Sequence, residues 1–279
     1  MTTNKALAQS ITAKLSQLTR AQDKPYDKLL TIVLLERAVA RLVADTTLAR
    51  CLIFKGGYVS VRVYDSPRFT TDIDAVLHGL DQTSAVEKIR EQMALPFGDG
   101  AWFRYEKEQN LVTQSEYGGW RLVFRGGLGD PPEKLHRAQI IDIDIGTGDP
   151  VTPAPRLVET ESLVGNDSLS WQVYPVETIL AEKLHTLVAR GSANSRARDV
   201  YDICLLLPRA DAETLRTALQ ATFAYRGDNL PDEIAGVLQL MDTGLLERGW
   251  HSATGHISEV GEFNATWHEL IVKLKHKGF

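Results

Sequence analysis

The stretch that decides the fold is Lys55-Gly-Gly57 followed, after a short interval, by Arg68-Phe-Thr-Thr-Asp-Ile-Asp74. Asp72 and Asp74 are two residues apart in a run that alternates polar and apolar side chains, so a strand would point both carboxylates to one face. Two like charges that close raise each other's pKa unless a cation lies between them. One or two carboxylates bind Mg²⁺ while substrate phosphates complete its shell. The pair therefore predicts a magnesium site, with Mn²⁺ as the alternative ion.

The glycine pair Gly56-Gly57 lies between an apolar strand predicted at 51–54 and a helix predicted near 58–64. Glycine lets bare backbone come close to a phosphate, and the free N–H groups at the start of a helix favour anions. We therefore predict that this turn binds phosphate. Arg68 is a further phosphate-binding candidate, although a surface salt bridge would explain it equally well.

A second acid-bearing strand is predicted at 138–145, where Asp142 and Asp144 lie on the face opposite three isoleucines. Phosphoryl transfer by two metal ions needs about three carboxylates, two that bridge the metals and one on the metal that activates the attacking hydroxyl. We predict that Asp144 joins Asp72 and Asp74 in this role, and we assign no role to Asp142. The plain alternative is that these acids form the solvent-facing side of an edge strand.

Composition limits the class of protein. The chain has 279 residues, 43% of them hydrophobic, and a net charge of −5. Contact with a polyanion would therefore need a local basic patch, either 183–198 or the tail 273–277, whose ordinary interpretation is a solvated helix end. No run approaches the roughly 20 apolar residues of a membrane span, and the N-terminus does not resemble a signal sequence. We expect a cytoplasmic protein with no membrane partner.

Cysteines and aromatic residues predict a core. The two cysteines, Cys51 and Cys204, can form neither a disulfide framework nor a zinc cluster, and we predict that both are buried. Four tryptophans are also predicted to lie in the core and not to stack on bases, namely Trp120, Trp171, Trp250 and Trp267.

The order of elements predicts an α+β protein. Residues 4–46 are predicted to be helical, with an apolar stripe of period 3.6 between 26 and 43. Strands and two helices follow to residue 145, prolines then break regular structure, and the chain turns helical beyond Pro175. We therefore predict one domain over 1–150 and a mainly helical domain over 151–279. The predicted strands are 51–54, 71–77, 102–107, 120–125 and 138–145, and the later helices are 83–93 (capped by Thr83 or Ser84), 175–190, 196–207, 211–223, 230–240 and 262–276.

Four blocks of sequence form one ordered set between residues 54 and 202. They are Phe54-Lys-Gly-Gly57, Pro67-Arg-Phe-Thr-Thr-Asp-Ile-Asp74, Ile143-Asp-Ile-Gly-Thr-Gly-Asp-Pro150, and Tyr174 to Lys183 continued by Ala193 to Asp202. This set resembles the AbiEii/AbiGii-type nucleotidyltransferases, a branch of the DNA polymerase β-like superfamily that contains toxins of toxin–antitoxin and phage-defence systems. The chain is also similar to MenT-like toxins.

The resemblance implies a polymerase β-like nucleotidyltransferase domain with a mixed sheet, followed by a helical domain that completes the nucleotide site. It implies transfer of a nucleoside monophosphate from an NTP to an acceptor hydroxyl. The implied acceptor is RNA, a tRNA 3′ end, with a protein hydroxyl as the alternative. The implied effect is growth arrest, restrained by a cognate antitoxin.

The resemblance also assigns roles to residues. Gly56 and Gly57 would cradle the triphosphate, Lys183 would contact its phosphates, and Asp199 matches the aspartate of the fourth motif. The implied catalytic set is Asp72, Asp74, Asp144, Lys183 and Asp199, of which the first three would bind metal. The implied nucleotide-binding set is Lys55, Gly56, Gly57, Arg68, Thr71 and Lys183.

Simpler explanations exist for several of these residues. Lys183 alone would be an exposed helical lysine, and Asp199 would pair with arginines on its own helix. For the whole protein, the rival functions are a non-catalytic nucleotide-binding module and a kinase-like phosphotransferase that moves the γ-phosphate.

Overall fold

A computed structural model of the protein describes residues 4–111, 118–165, 167–257 and 260–279. The strands are β1 (Leu52–Lys55), β2 (Asp72–Leu77), β3 (Ala101–Asn110), β4 (Gly119–Leu128), β5 (Gln139–Thr147), β6 (Arg156–Glu161) and β7 (Ser168–Val173). The helices are α1 (Asn4–Gln22), α2 (Tyr26–Ala44), α3 (Thr46–Cys51), α4 (Gly56–Val63), α5 (Gln82–Ala94), α6 (Val176–Arg190), α7 (Ala197–Leu206), α8 (Ala212–Tyr225), α9 (Ile234–Gln239), α10 (Gly244–Thr254) and α11 (Phe263–His276).

The strands form one mixed, seven-stranded sheet in the order β3-β4-β5-β2-β1-β7-β6. β2 pairs in parallel with β5 and antiparallel with β1, and β1 pairs in parallel with β7. β3, β4 and β5 form an antiparallel ladder. The mixed sheet and the helices after it confirm the predicted α+β class. The two acid-bearing strands, β2 and β5, are adjacent at the centre of the sheet, so the interpretation as an edge strand is wrong.

The chain groups into two compact units. The first unit contains the chain through Val63, then Phe69–Gly148 and Leu157–Val173; the second contains Tyr64–Arg68, Asp149–Arg156 and Tyr174–Phe279. The first unit holds the sheet with α1 to α5, and the second holds α6 to α11. This grouping differs from a single division after residue 150, because β7 pairs with β1 and so belongs to the first unit.

Helix α2 is enclosed by the first unit. Every residue from Thr31 to Val39 is buried, as are Arg41 and Leu42. Because α2 contacts α1, α3, α5 and β5, the apolar stripe predicted from the sequence covers only part of its buried surface. Arg41 is compensated by two hydrogen bonds to the Asp99 carboxylate, at 2.7 and 2.8 Å, as a buried charge requires.

Several local predictions need correction. β6, β7 and α10 were not predicted from the sequence. The prolines after residue 149 indicated irregular structure in the region where the two strands form. Asp81 caps α5 by accepting a hydrogen bond from the Ser84 N–H, so the predicted caps lie inside the helix. Cys204 is buried as predicted, whereas Cys51 is only partly buried. The core prediction for four tryptophans is confirmed, with exposures of 1% for Trp120 and Trp171, 6% for Trp250 and 8% for Trp267.

Helix α7 lies at the centre of the second unit, where it contacts α6, α10 and α11. The lysine-rich end of α11 is tied to this unit. Lys273 donates to the Cys204 carbonyl at 3.2 Å, and Lys277 donates to the Ala210 carbonyl at 2.6 Å. At least these two lysines therefore contact the protein itself, so the tail is more than a solvated helix end.

A buried ion pair anchors helix α4, which begins with the glycine pair. Arg62 donates to Glu36 on α2 at 2.9 Å and also contacts the Glu161 carbonyl. Glu36 further accepts hydrogen bonds from the Ser162 hydroxyl at 2.6 Å and from the Leu163 N–H at 3.1 Å. The side chains of Arg62 and Glu36 are only 9% and 4% exposed. This network fixes the far end of α4 and, through the helix, the position of Gly56.

We expect Arg62→Met to lower the free energy of unfolding by about 3–5 kcal/mol, because it leaves the buried Glu36 without its cation. Urea denaturation measures this change. The double variant Glu36→Gln/Arg62→Met should recover part of the loss, since glutamine keeps an acceptor for Ser162 without a charge. Lys88→Met is the control, because Lys88 is 37% exposed in its pair with Asp45 at 3.5 Å and should change stability by less than about 1 kcal/mol. An equal loss for both single variants would contradict the proposed anchor.

Candidate active site

Strand pairing brings the predicted metal ligands together. In the parallel β2–β5 pair, Asp72 lies opposite Asp142 and Asp74 lies opposite Asp144. The period of two puts these carboxylates on one face, while Ile73 and the isoleucines of β5 that flank its aspartates are fully buried on the other. Oxygen atoms of Asp72, Asp74 and Asp144 all lie within 4.8 Å of one another. Hard oxygen donors at this spacing fit Mg²⁺ or Mn²⁺.

The predicted glycine turn is the first turn of α4. Gly56 has a φ of +67°, and a Cβ built on it would lie 2.0 Å from Oδ2 of Asp74. Only glycine fits, since a side chain would strain the backbone and overlap the carboxylate. Gly57 follows, buried in the same turn. The structure therefore places the predicted phosphate-binding backbone directly against a predicted metal ligand.

Two other predicted site residues of the first unit, Lys55 and Thr71, are close in sequence to Gly56 and Asp72. Lys55 is opposite Asp74 in the β1–β2 ladder. Thr71 is exposed at the residue before β2. Its neighbour Thr70, which the sequence analysis did not select, donates a hydrogen bond to Asp72 Oδ1 at 2.7 Å. This contact orients the carboxylate of Asp72.

The structure adds an arginine that the sequence analysis missed. Arg121 Nε and Nη2 each donate to one oxygen of Asp144, both at 2.6 Å. Its Nη1 lies 3.1 Å from Oδ2 of Asp142. The antiparallel β4–β5 register sets Arg121 opposite Asp144. In the sequence, Arg121 is recognisable only as a charged residue inside the otherwise apolar run Trp120-Arg-Leu-Val. That pattern does not identify its ion-pair partner.

Charge is crowded on this face of the sheet. Burial raises the pKa of Asp142 above its ordinary value, and the nearby Asp144 and Asp72 add to the rise although Arg121 opposes it. The hydrogen bonds from Arg121 to Asp144 raise the pKa of the guanidinium further, so Arg121 is always charged. The site as a whole holds more negative than positive charge, which favours binding of a cation.

The remaining predicted residues form a second ionic cluster, in the second unit. Lys183 Nζ lies 2.6 Å from Asp199 Oδ1 and 2.8 Å from Asp202 Oδ2. Arg68 Nε lies 2.8 Å from the other oxygen of Asp202, and Arg196 Nε lies 2.8 Å from Asp199. The simpler explanation for Asp199, an ion pair with a nearby arginine, is therefore observed with Arg196. Lys183, however, is 12% exposed and joins α6 to α7, so it is not a solvated helical lysine.

Ion pairing outweighs burial in this cluster. Burial disfavours the charged form of Lys183, yet Asp199 and Asp202 raise its pKa above the ordinary value. Burial likewise opposes ionisation of Asp199, but Lys183 and Arg196 hold its pKa below the usual range. Lys183 and Asp199 are therefore both charged at neutral pH. The roles of Lys183 in phosphate binding and of Asp199 in catalysis stay predictions.

Comparison with known proteins identifies the family. Residues 37–262 match the family described as nucleotidyl transferase AbiEii toxin, type IV TA system. The chain belongs to this family. The AbiEii match confirms both the resemblance predicted from the sequence and the enzyme class, a nucleotidyltransferase. No curated protein matches the chain significantly.

Several solved structures are similar to the chain at low sequence identity. A candidate nucleotidyltransferase from H. pylori matches at 17% identity with a TM-score of 0.51, covering 91% of this chain and 96% of its own. JHP933 from Helicobacter pylori matches at 16% identity and a TM-score of 0.46, over 88% and 89% of the two chains. An antigenic nucleotidyltransferase-like protein from Paracoccidioides brasiliensis matches at 18% identity and a TM-score of 0.40, over 72% and 89%. At such identities the first match supports the fold alone.

Within the described residues, no helix is long and apolar enough to cross a membrane.

We expect Gly56→Ala to lower nucleotidyl transfer by about 100-fold, because the new methyl group displaces the Asp74 carboxylate and misplacement by about 1 Å has that effect. Gly79→Ala is the matched control. Gly79 has a similar φ of +71°, but a Cβ there meets nothing within 4 Å. Both variants should lose about 1–2 kcal/mol of stability from backbone strain, and only Gly56→Ala should lose activity. Equal activity of the two variants would contradict the contact with Asp74.

We expect Asp199→Asn to make the free energy of unfolding less dependent on pH in the acid range. The folded-state pKa of Asp199 is lowered, so its contribution is complete above the unfolded pKa of about 3.9 and is lost as the pH falls below that value. The free-energy gap between wild type and Asp199→Asn should therefore be largest near neutral pH and narrow below about pH 4. Urea denaturation across pH measures the gap. Asp65→Asn, at a side chain 84% exposed, should show almost no gap at any pH.

Proposed function

We propose that the protein is a metal-dependent nucleotidyltransferase that moves a nucleoside monophosphate from an NTP to an acceptor hydroxyl. Mg²⁺ is the proposed ion and Mn²⁺ the alternative, bound by Asp72, Asp74 and Asp144. One observation carries the proposal. Three carboxylates from two adjacent parallel strands place oxygen atoms within 4.8 Å of one another. Membership of the AbiEii family supports the type of reaction.

The chain's own residues would position the reactants. The backbone of Gly56 lies against the Asp74 carboxylate with no side chain between them, and the N–H groups of the first turn of α4 favour anions. Thr70 holds Asp72 in place, and the β2–β5 register holds Asp74 beside Asp144. The bound metal would supply charge neutralisation at the α-phosphate and lower the pKa of the attacking hydroxyl. Positioning and electrostatic stabilisation make up most of the catalysis in phosphoryl transfer.

The nucleotide-binding set is part of this proposal. Lys55, Gly56, Gly57, Arg68, Thr71 and Lys183 are proposed to contact the NTP, and Asp199 is proposed to act with Lys183. The charged state of Lys183, held by Asp199 and Asp202, supports its assignment to phosphate.

The proposed biological role follows the family. The acceptor is proposed to be RNA, specifically a tRNA 3′ end, in the cytoplasm, with a protein hydroxyl as the alternative acceptor. The description of the family as a type IV toxin supports a cognate antitoxin as partner.

Incubation with each of four α-³²P-labelled NTPs, Mg²⁺ and total tRNA tests the proposal. We expect label on RNA with at least one NTP, because the α-phosphate is the group transferred. Asp72→Asn/Asp74→Asn should lower transfer by more than about 100-fold through the loss of two metal ligands. Asp130→Asn is the matched control, since Asp130 is an exposed aspartate of the same unit and should keep full activity.

The labelled products separate the alternatives. Label on protein would retain nucleotidyl transfer and replace RNA as the acceptor. Transfer only from γ-³²P-labelled NTP would overturn the proposal in favour of kinase chemistry. Equal transfer by the double variant and by Asp130→Asn would overturn the assignment of the metal ligands.

A further inference from the structure

Arg121 occupies a carboxylate that the proposed function assigns to a metal ion. Its two hydrogen bonds to Asp144, both 2.6 Å long, engage both carboxylate oxygens. Bidentate pairs between arginine and carboxylate are among the strongest hydrogen-bonded ion pairs. A divalent cation at the same oxygens would have a permanently positive guanidinium as its neighbour. Arg121 and the metal ion therefore compete for Asp144.

Asp142 offers Arg121 a second place to bind. It lies on the same face of β5, two residues before Asp144, and its Oδ2 is already 3.1 Å from Arg121 Nη1. Its other oxygen, Oδ1, is buried and accepts no hydrogen bond from any part of the chain that the structure describes. A buried carboxylate oxygen without a donor is uncommon and costly. Asp142 thus has unused capacity for the guanidinium that Asp144 now holds.

The position of Arg121 allows this exchange. Arg121 lies on β4 opposite Asp144, while Asp142 is opposite Val123 on the same strand. Residues two apart on one strand face are separated by about 7 Å, a distance that the long arginine side chain spans by rotation about its own bonds. The side chain is 30% exposed, so no packed core residue needs to move with it.

We propose that Arg121 is a positioning residue that holds Asp144 in the metal-free enzyme and transfers to Asp142 when a divalent cation binds. This inference rests on the proposed function, because it concerns the same metal site. It gives Asp142 the role that the metal cluster leaves open: Asp142 is a counter-ion for Arg121 and not a metal ligand. Arg121 then weakens metal binding, and Asp142 reduces that effect by taking the guanidinium.

Binding of Mn²⁺ without nucleotide tests the proposal, with free Mn²⁺ measured by electron paramagnetic resonance. We expect Arg121→Gln to tighten Mn²⁺ binding by about tenfold, the order expected for removing one like charge beside the ion. Arg125→Gln is the matched control, because Arg125 lies on the same strand and pairs with Glu106 at 2.6 Å. It should leave the affinity near that of the wild type. An affinity of Arg121→Gln equal to that of Arg125→Gln would overturn the proposal.

A double-mutant cycle tests the part played by Asp142. Asp142→Asn should weaken Mn²⁺ binding in the wild type, because Arg121 then has no alternative partner. The same change should have a smaller effect in the Arg121→Gln background, where there is no guanidinium to receive. An equal fold-change in the two backgrounds would show that Asp142 acts on the metal directly, and would overturn its role as counter-ion.

Thermal unfolding gives a readout independent of affinity. Metal-free Arg121→Gln should unfold at a lower temperature than wild type, since the crowded carboxylates lose their cation. Saturating Mn²⁺ should then raise its unfolding temperature by more than it raises that of wild type. Asp72→Asn/Asp74→Asn separates two kinds of failure. If this double variant binds Mn²⁺ as tightly as wild type, the proposed metal site and this inference are both overturned. If Mn²⁺ binding requires both aspartates but is unchanged by Arg121→Gln, this inference alone is overturned.

Discussion

The register between β2 and β5 is the constraint on which the whole site depends. A slip of one residue would turn every side chain of one strand to the opposite face, separating Asp144 from Asp72 and Asp74. Ile143 and Ile73 prevent that slip, because both are fully buried on the opposite face. Burying these two side chains contributes about 3–6 kcal/mol, which offsets the repulsion of about 4 kcal/mol between two like charges about 4 Å apart near a protein surface. The hydrophobic core, and no attraction among the acids, therefore holds the carboxylates together.

Two features then make the crowded carboxylates tolerable in the folded protein. Arg121 supplies a guanidinium to Asp144 and Asp142 from the neighbouring strand. Gly56 supplies room, because the absence of a Cβ lets the Asp74 carboxylate lie against the start of α4. Arg121 lowers the electrostatic repulsion among the carboxylates, and Gly56 avoids a steric clash with Asp74. Both features allow Asp72, Asp74 and Asp144 to lie close together, and such fixed geometry is the condition for catalysis by positioning.

Local pattern explains which parts of this structure could be predicted from the sequence. The alternation around Asp72 and Asp144 is local, so both strands and the faces of their side chains were predicted correctly. The partner of Arg121 was not predictable, because β4 and β5 are paired through the fold and the sequence states no register between them. Lys183 illustrates the same limit: its spacing fits an exposed helix, whereas in the fold it pairs with Asp199 and Asp202 on α7 and is largely buried.

Short elements with weak patterns were missed for a related reason. β6 and β7 have six residues each, follow three prolines and alternate only weakly. Their place in the sheet comes from pairing, of β7 with β1 and of β6 with β7, and not from their own composition. The enclosure of α2 shows the converse. Its apolar stripe predicted one buried face, but the charged residues Glu36 and Arg41 are buried too because each has an opposite charge supplied by a distant segment.

The two ionic clusters also show why net charge was a poor guide to ligands. In the first unit, four carboxylates lie on one sheet face, and Arg121 from β4 contacts two of them, Asp142 and Asp144. In the second unit, Lys183, Arg68 and Arg196 contact the carboxylates of Asp199 and Asp202. The first cluster has an excess of carboxylates, which favours binding of a cation, whereas each cation of the second cluster is paired with a carboxylate. Local charge, and not the net charge of −5, therefore determines what each cluster can bind.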